Sequence, residues 1–376
     1  MKIIDAGATI GIIGGGQLGQ MMAFSAKEIG YRIALLDPDG DSPCAQVADE
    51  VIVAPYHDEQ AMRALAEISD VVTYEFENVD AATLRDVRAH GYFPQGVDVL
   101  ETTQHRLQEK AAITRLGVPV ARYMTILSVD DVALAATNMR FPAILKVCLG
   151  GYDGKGQVVV HDASALREAA VSLLQHGPLV LEEKVDFAKE ISVIVTRSVH
   201  GEITMFPVAE NEHRDNILHR TIVPARISTA TATSAQALAC RLAEGLNVVG
   251  TLAVEMFVKK DGTLYVNELA PRPHNSGHYT IEACKTSQFE QHIRAICGLP
   301  LGDTTLQTPA VMENILGERV YEVPEQPASA VSTYLHLYGK KHVKYQRKMG
   351  HVTVLGNDTD GCLEILNAFW RKKALH

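Results

Sequence analysis

The segment Leu252-Ala253-Val254-Glu255-Met256-Phe257-Val258-Lys259-Lys260-Asp261-Gly262-Thr263-Leu264-Tyr265-Val266-Asn267-Glu268-Leu269-Ala270 decides how the chain is read. Two apolar runs, 252–258 and 263–269, flank Asp261-Gly262, a strong hairpin signal. A two-residue turn there sets Lys260 opposite Thr263, and counting outward sets Glu255 opposite Glu268. Like charges facing each other across strands are destabilising. The apolar neighbours Val254, Met256, Val266 and Leu269 add a desolvation cost. A divalent cation between the carboxylates removes the conflict. Hard cations prefer oxygen ligands, and Mg²⁺ completes its shell with substrate phosphates. Asn267 beside Glu268 extends the ligand set. The alternative is a bulged turn that slips the register by one residue and separates the two carboxylates.

Directly after the hairpin comes Pro271-Arg272-Pro273-His274-Asn275-Ser276-Gly277-His278, a proline-stiffened loop presenting a guanidinium and two imidazoles. Such a loop suits developing negative charge. Upstream, Lys146 lies in the apolar strand 143–148, where a lysine is costly unless it meets an anion. The strand runs into Gly150-Gly151-Tyr152-Asp153-Gly154-Lys155-Gly156, whose glycines admit a phosphate close to the backbone. Gly156 stands where a P-loop needs Ser or Thr, so this is a different phosphate loop. A strand at 179–182 leads into Glu183-Lys184-Val185, and Glu190 lies a short way beyond. In a nucleotide site such a hinge bonds adenine through its backbone, and a carboxylate beyond it accepts from ribose hydroxyls. Segments 157–161 and 191–199 read as strands, 163–175 and 235–246 as helices, so the middle of the chain is strand-rich α+β.

The first hundred residues have a different rhythm. Strand-like runs at 9–13, 32–36, 51–54 and 71–76 alternate with helical patterns such as 17–29, which predicts a parallel sheet. Gly14-Gly15-Gly16-Gln17-Leu18-Gly19 matches the dinucleotide fingerprint, with Asp37 about twenty residues on. A tight strand-to-helix turn explains it equally well. The last seventy or so residues, after Gly298-Leu299-Pro300, carry β-type segments and a basic stretch at 340–348.

At 376 residues, roughly two or three domains are expected. Apolar residues make up 47% and charged residues 21%, which excludes a low-complexity or disordered chain. The net charge of −10 excludes a bulk electrostatic nucleic-acid binder but leaves room for a local basic pocket. Six scattered cysteines, none spaced as CxxC, fit a reducing compartment. No signal segment and no apolar stretch of about 18 residues stands out. The expectation is a soluble, cytoplasmic enzyme that binds neither nucleic acid nor membrane.

Taken in order, these residues resemble the ATP-grasp superfamily nearly end to end. Within it the chain looks like the N5-carboxyaminoimidazole ribonucleotide synthetases of purine biosynthesis. The segments that carry the resemblance are 13–19, Thr73-Tyr74-Glu75-Phe76-Glu77-Asn78-Val79, 150–157, 267–278 and Arg347-Lys348-Met349-Gly350-His351. It implies an α/β and α+β fold in three parts: a Rossmann-like domain over 1–104, a two-lobed ATP-grasp domain over 105–300 and a small β-rich domain over 301–376. It also implies carboxylation of 5-aminoimidazole ribonucleotide by ATP and bicarbonate through carboxyphosphate, in a homodimer.

By motif match, Arg106, Lys146 and the loop Gly151, Tyr152, Asp153, Gly154, Lys155, Gly156 and Gln157 contact ATP phosphates. Glu182, Glu183, Lys184 and Val185 form the adenine hinge, Glu190 binds ribose, and His213 joins the ATP site. Glu255, Glu268 and Asn267 hold Mg²⁺, with Asn267 and Glu268 also facing ATP. Gln17, Glu75 or Glu77, Tyr152, Asp153, Arg272 and His274 surround the ribonucleotide, and Lys340, Arg347 and Lys348 hold its phosphate. Strand alternation puts Glu75 and Glu77 on one face, so the sequence does not choose between them, nor between Lys340 and Lys341. Arg272, Lys155 and His274 form the catalytic set. The rival readings are a formate-using glycinamide ribonucleotide transformylase, also an ATP-grasp enzyme, and an NAD-dependent dehydrogenase built on Gly14, Gly16, Gly19 and Asp37.

Overall fold

The computed structural model describes residues 2–151, 156–323 and 332–371. Among the described residues the strands form three sheets. The first contains β1 (Thr9–Ile13), β2 (Arg32–Asp37), β3 (Glu50–Val53) and β4 (Val71–Tyr74) in the order β3-β2-β1-β4, all parallel. Strands buried on both faces need continuous apolar runs, and β1 and β4 have them. The expected βαβ rhythm is therefore realised, and helix Gln17–Ile29 begins three residues after β1.

The second sheet is antiparallel, in the order β5-β8-β6-β7, from β5 (Tyr123–Ile126), β6 (Ala143–Val147), β7 (Gln157–Val160) and β8 (Leu179–Glu183). Helices Asp131–Asn138 and Ala163–Leu173 cover its inner face through Val132, Ala135, Leu166 and Ala170. The third sheet contains β9 (Lys189–Arg197), β10 (Ile203–Met205), β11 (Ala209–Arg214), β12 (Ile217–Val223), β13 (Gly250–Val258), β14 (Leu264–Ala270), β15 (Ala310–Leu316), β16 (Thr333–Leu337) and β17 (Lys348–Leu355). Its path is β14-β13-β9-β11-β12-β15-β17-β16, with β10 on β9. The C-terminal strands thus extend the central sheet, through the antiparallel β12–β15 pair.

Helix Gln288–Cys297 follows the hairpin but buries Phe289, Ile293 and Ile296 against Ile10, Ile12 and Met22 of the first unit. That shared apolar cluster joins the N-terminal unit to the central one. Lys340 completes the closure. Its ammonium donates to Gln17 Oε1 and to the Lys348 carbonyl, both at 2.8 Å.

The glycine loop is satisfied from within. Gly14 takes φ +103°, which favours glycine, and an added Cβ would lie 2.5 Å from Glu75 Cγ. The Gly15 N–H donates to Asp37 Oδ2 at 2.6 Å, and the Tyr56 hydroxyl donates to the same oxygen at 2.6 Å. The Gly16 and Gly19 N–H groups donate to the two Glu75 oxygens, the latter at 2.6 Å. Carboxylates of the chain thus occupy the donors that a pyrophosphate would use in a dinucleotide fold. Burial pushes the Glu75 carboxyl up, and the Gly19 and Gly16 N–H groups work against that. Calorimetric titration with NAD should therefore give no saturable heat under conditions where ATP binds. Tight NAD binding displaced by the ribonucleotide would overturn this reading of the loop.

Candidate active site

The hairpin reaches the expected pairing by an unexpected route. Its turn has three residues: the Gly262 N–H donates to the Lys259 carbonyl, and the Lys259 N–H donates to the Thr263 carbonyl, each at 2.9 Å. Gly262 takes φ +84°, so glycine closes the turn as in a three-residue hairpin. This shifts the pairs nearest the turn by one residue, to Val258↔Leu264 and Met256↔Val266. A bulge at Asn267 then restores the count, and Glu255 faces Glu268, Val254 faces Leu269 and Ala253 faces Ala270. The two-residue turn was the wrong premise; the facing carboxylates survive because the two irregularities cancel. The bulge places Asn267 as the extra residue next to Glu268, the kind of distortion that re-aims side chains beside active sites.

The charges around the pair differ on its two sides. The Glu255 side chain is 15% exposed, with His274 Nε2 at 3.5 Å from its Oε1. Burial, and then Glu268, push the Glu255 carboxyl above the ordinary range. Glu268 is 44% exposed and receives the Arg106 guanidinium at 3.4 Å. Burial opposes its ionisation, but Arg106 and Lys146 hold its carboxyl below the ordinary range. Beneath them Glu109 is buried and accepts from the Leu269 N–H at 2.7 Å. Burial, with Glu268 near, raises it to about 8.

Among the described residues no three His, Cys, Asp or Glu side chains converge as a metal cage. Two carboxylates and the Asn267 amide offer an all-oxygen set, which fits a cation whose remaining ligands are nucleotide phosphates.

Lys146 meets the anion that its apolar strand demands. Glu182 is 5% exposed and lies between Lys110 at 3.2 Å and Lys146 at 3.3 Å, themselves 2% and 9% exposed. Burial lowers Lys146 despite Glu182. Glu182 is held down by Lys146 and Lys110 against its own burial. The Glu182 carboxylate therefore turns inward within β8, which ends at Glu183, and leaves only the Glu182 backbone for the expected hinge. The Glu183 N–H donates to the Arg122 carbonyl, and the Lys184 N–H to the Pro142 carbonyl, which ties the hinge to its lobe. Val185 follows outside β8.

Glu190 and His213 bond each other at 2.6 Å. Burial works against the imidazolium, yet Glu190 and Glu255 raise His213 above its usual value. With Asn211, Met256, Phe257, Glu255 and Asn267 these two line one cleft. Arg106 also donates to the Gly151 carbonyl at 3.3 Å, linking the phosphate loop to Glu268. Gly156 precedes β7, which opens with Gln157. Tyr152, Asp153, Gly154 and Lys155 lie outside the described residues.

The second correction concerns Glu75 and Glu77. The strand ends at Tyr74, so alternation does not reach them. Glu75 turns into the glycine loop, whereas Glu77 pairs with Arg272 at 2.6 Å. Of the two lysines, Lys340 reaches Gln17, whereas Lys341 pairs with Asp41 at the surface. Burial and then Arg347 lower Lys340 to about 8, with Lys348 acting in the same sense. Lys340 thus lies close enough to Arg347 and Lys348 to feel their charge. The Arg347 guanidinium donates to the His342 carbonyl at 2.7 Å. Sequence reading missed Lys110 and Glu109, which look like surface charges on helix Arg106–Arg115 yet are both buried.

A nucleotide-phosphate lobe hinged over a carboxylate-bearing hairpin defines the ATP-grasp class. Family models agree: a ribonucleotide synthetase preATP-grasp domain matches residues 7–104, an ATP-grasp domain 111–289, and a phosphoribosylaminoimidazole carboxylase C-terminal domain 310–365. The N5-carboxyaminoimidazole ribonucleotide synthase of Bacillus subtilis is 52% identical over 372 residues, covering 99% of this chain and 98% of its own. A crystal structure of an ADP complex of N5-carboxyaminoimidazole ribonucleotide synthetase is 54% identical, covers 100% of both chains and has a TM-score of 0.95. An Aspergillus clavatus N5-carboxyaminoimidazole synthase, solved with ADP and 5-aminoimidazole ribonucleotide, is 30% identical with a TM-score of 0.91, covering 98% of this chain and 99% of its own. The chain belongs to the N5-carboxyaminoimidazole ribonucleotide synthase family.

The Glu255 shift has a stability consequence. Its carboxyl is raised in the folded state, so the folded protein binds more protons than the unfolded chain. Cation-free stability therefore falls as pH rises from the ordinary carboxylate range toward neutrality, and Glu109 adds to the same slope up to about 8. Glu255→Gln should flatten that slope and raise cation-free stability by up to about 1 kcal/mol, while abolishing turnover. Urea unfolding across this pH range checks it. An unchanged slope, or near-normal activity at low Mg²⁺, would contradict the facing-carboxylate account.

Proposed function

We propose that the protein carboxylates 5-aminoimidazole ribonucleotide with bicarbonate at the expense of ATP, using Mg²⁺. The observation that carries this reading is the facing Glu255–Glu268 pair, flanked by Arg106 and Lys146 on one side and by His274 on the other. Relatives aligned over nearly the whole chain bear the corresponding name, and one of them was solved with ADP and the ribonucleotide. We also propose that it works as a cytoplasmic homodimer with units near 1–104, 105–300 and 301–376. No helix among the described residues is long and apolar enough to cross a membrane.

In this reading adenine lies along the backbone of Glu182, Glu183, Lys184 and Val185, and Glu190 takes the ribose hydroxyls. Arg106, Lys146 and the loop that includes Lys155 hold the phosphates. Glu255, Glu268 and Asn267 would hold Mg²⁺, which would neutralise phosphate charge. A bicarbonate oxygen attacks the γ-phosphorus, the bond to ADP breaks, and carboxyphosphate forms. The ribonucleotide amine then attacks the carboxyl carbon, the C–O bond to phosphate breaks, and the amine proton passes to the departing phosphate. Positioning and charge neutralisation carry the first step. Arg272 steadies the acyl phosphate while Glu77 fixes its guanidinium. The ribonucleotide phosphate sits on Lys340, Arg347 and Lys348, with Gln17, Glu75, Tyr152, Asp153 and His274 around the rest.

ADP release should require both 5-aminoimidazole ribonucleotide and bicarbonate. With ¹⁸O-bicarbonate, label should appear in inorganic phosphate during rapid turnover. Unlabelled phosphate at robust turnover would overturn the carboxyphosphate route. ADP release that instead needs formate and glycinamide ribonucleotide would overturn the substrate assignment.

A further inference from the structure

His274 is the imidazole nearest the Glu255 carboxylate, and the hydrogen bonds behind it settle which nitrogen carries its proton. The chain starts at Thr221, whose hydroxyl donates to Asn211 Oδ1 at 3.0 Å. The Asn211 Nδ2 group donates to Ser192 Oγ at 2.9 Å. Ser192 Oγ is 2.7 Å from Ser276 Oγ, which is 2.9 Å from His274 Nδ1. Thr221, Ser192 and Ser276 are wholly buried, and Asn211 nearly so.

Donor arithmetic gives the chain a direction. An amide oxygen only accepts and an amide nitrogen only donates. Ser192 therefore accepts from Asn211 and passes its own hydrogen to Ser276. Ser276, having accepted, points its hydrogen at His274 Nδ1. The Ser276 backbone N–H, which can only donate, faces the same nitrogen at 3.3 Å. Two donors converge on Nδ1, so Nδ1 is an acceptor and the imidazole is neutral with its hydrogen on Nε2. That N–H points toward the cleft, 3.5 Å from Glu255 Oε1.

We propose that Asn211, Ser192 and Ser276 are positioning residues that lock His274 as the Nε2–H tautomer, so that it serves the carboxylation as a hydrogen-bond donor to the bicarbonate-derived oxygens and not as a proton acceptor at that atom. The proposal rests on the reading of His274 as part of the carboxylation site. A second buried amide holds the same residue in place: Gln288 accepts from the His274 N–H at 2.9 Å and donates to its carbonyl at 2.7 Å.

Asn211→Asp reverses the chain at nearly constant shape. An ionised carboxylate only accepts, so Ser192 must donate to it and Ser276 must donate to Ser192. The Ser276 hydroxyl is then left facing Nδ1 with lone pairs, so only the Ser276 backbone N–H still holds Nδ1 as an acceptor and the Nδ1–H tautomer becomes accessible. The test uses the full chain labelled with ¹⁵N-histidine, at alkaline pH, with His274→Asn to assign the signal. The wild type should show Nε2–H. Asn211→Asp should show a population of Nδ1–H and lose at least tenfold in kcat, toward the ~10²–10³ typical of a lost oxyanion donor.

Ser192→Ala/Asn211→Asp cuts the reversed link, and should restore Nε2–H and recover most of the lost kcat. A purely structural role predicts the double variant to be worse than either single one. A pure Nε2–H signal in Asn211→Asp, or no recovery in the double variant, overturns the relay. A tautomer exchange with unchanged kcat overturns the donor role. If Asn211→Asp does not fold, Ser276→Ala should give mixed tautomers, and a pure Nε2–H signal there overturns the relay as well. Wild-type protein that shows the Nε2–H signal but no bicarbonate-dependent turnover would overturn the carboxylation reading and leave the relay standing.

Discussion

Glu255 and Glu268 stand opposite each other on neighbouring strands, and the rest of the site is arranged around the cost of holding them there. Two like charges beside apolar strand residues repel and are poorly solvated. The chain answers unevenly. Arg106 and Lys146 compensate Glu268, whereas Glu255 is left with a raised carboxyl beside a neutral imidazole. On the proposed reading a cation completes the pair, and nucleotide phosphates would complete the shell of a cation held by two carboxylates and an amide. Metal and nucleotide binding would then be coupled at the point proposed for phosphoryl transfer.

The other units deliver partners to that point. Helix Gln288–Cys297 joins the central unit to the N-terminal apolar cluster, and Lys340 joins the C-terminal strands to Gln17. The glycine loop illustrates how a motif can be reused. Its N–H groups, which bind pyrophosphate in dinucleotide enzymes, are turned inward onto Asp37 and Glu75. On the proposed reading the loop walls the acceptor side, and Gln17 at the start of its helix meets Lys340.

Much of this was legible in the sequence because it depends on local pattern. The parallel sheet followed from alternating apolar runs, and helix Gln17–Ile29 from its spacing. Lys146 was suspect because of its apolar strand, and it meets Glu182. What escaped depends on distant compensation. The turn at Gly262 and the bulge at Asn267 each shift the register, and neither has a signature that survives without the other. Lys110 and Glu109 look like ordinary helix charges until β8 and β14 arrive with Glu182 and the Leu269 N–H. Ser192 did leave a signal, a short polar residue at a fully buried position of a strand rich in branched apolar residues, whereas Asn211 sits in the polar strand β11 and left none. Their meaning is visible only when Ser276 of the following loop closes the chain to His274.

The central claim is that the two facing carboxylates form one nucleotide-dependent cation site. Binding of Mn²⁺ in the presence of ADP, followed by electron paramagnetic resonance, tests it most directly. The account predicts saturable Mn²⁺ binding in the wild type that depends on ADP. It predicts weakening by at least about tenfold, or roughly 1.4 kcal/mol, in Glu255→Gln and in Glu268→Gln alike, and loss of binding in the double variant. Unchanged ADP-dependent Mn²⁺ binding in the folded double variant would contradict it.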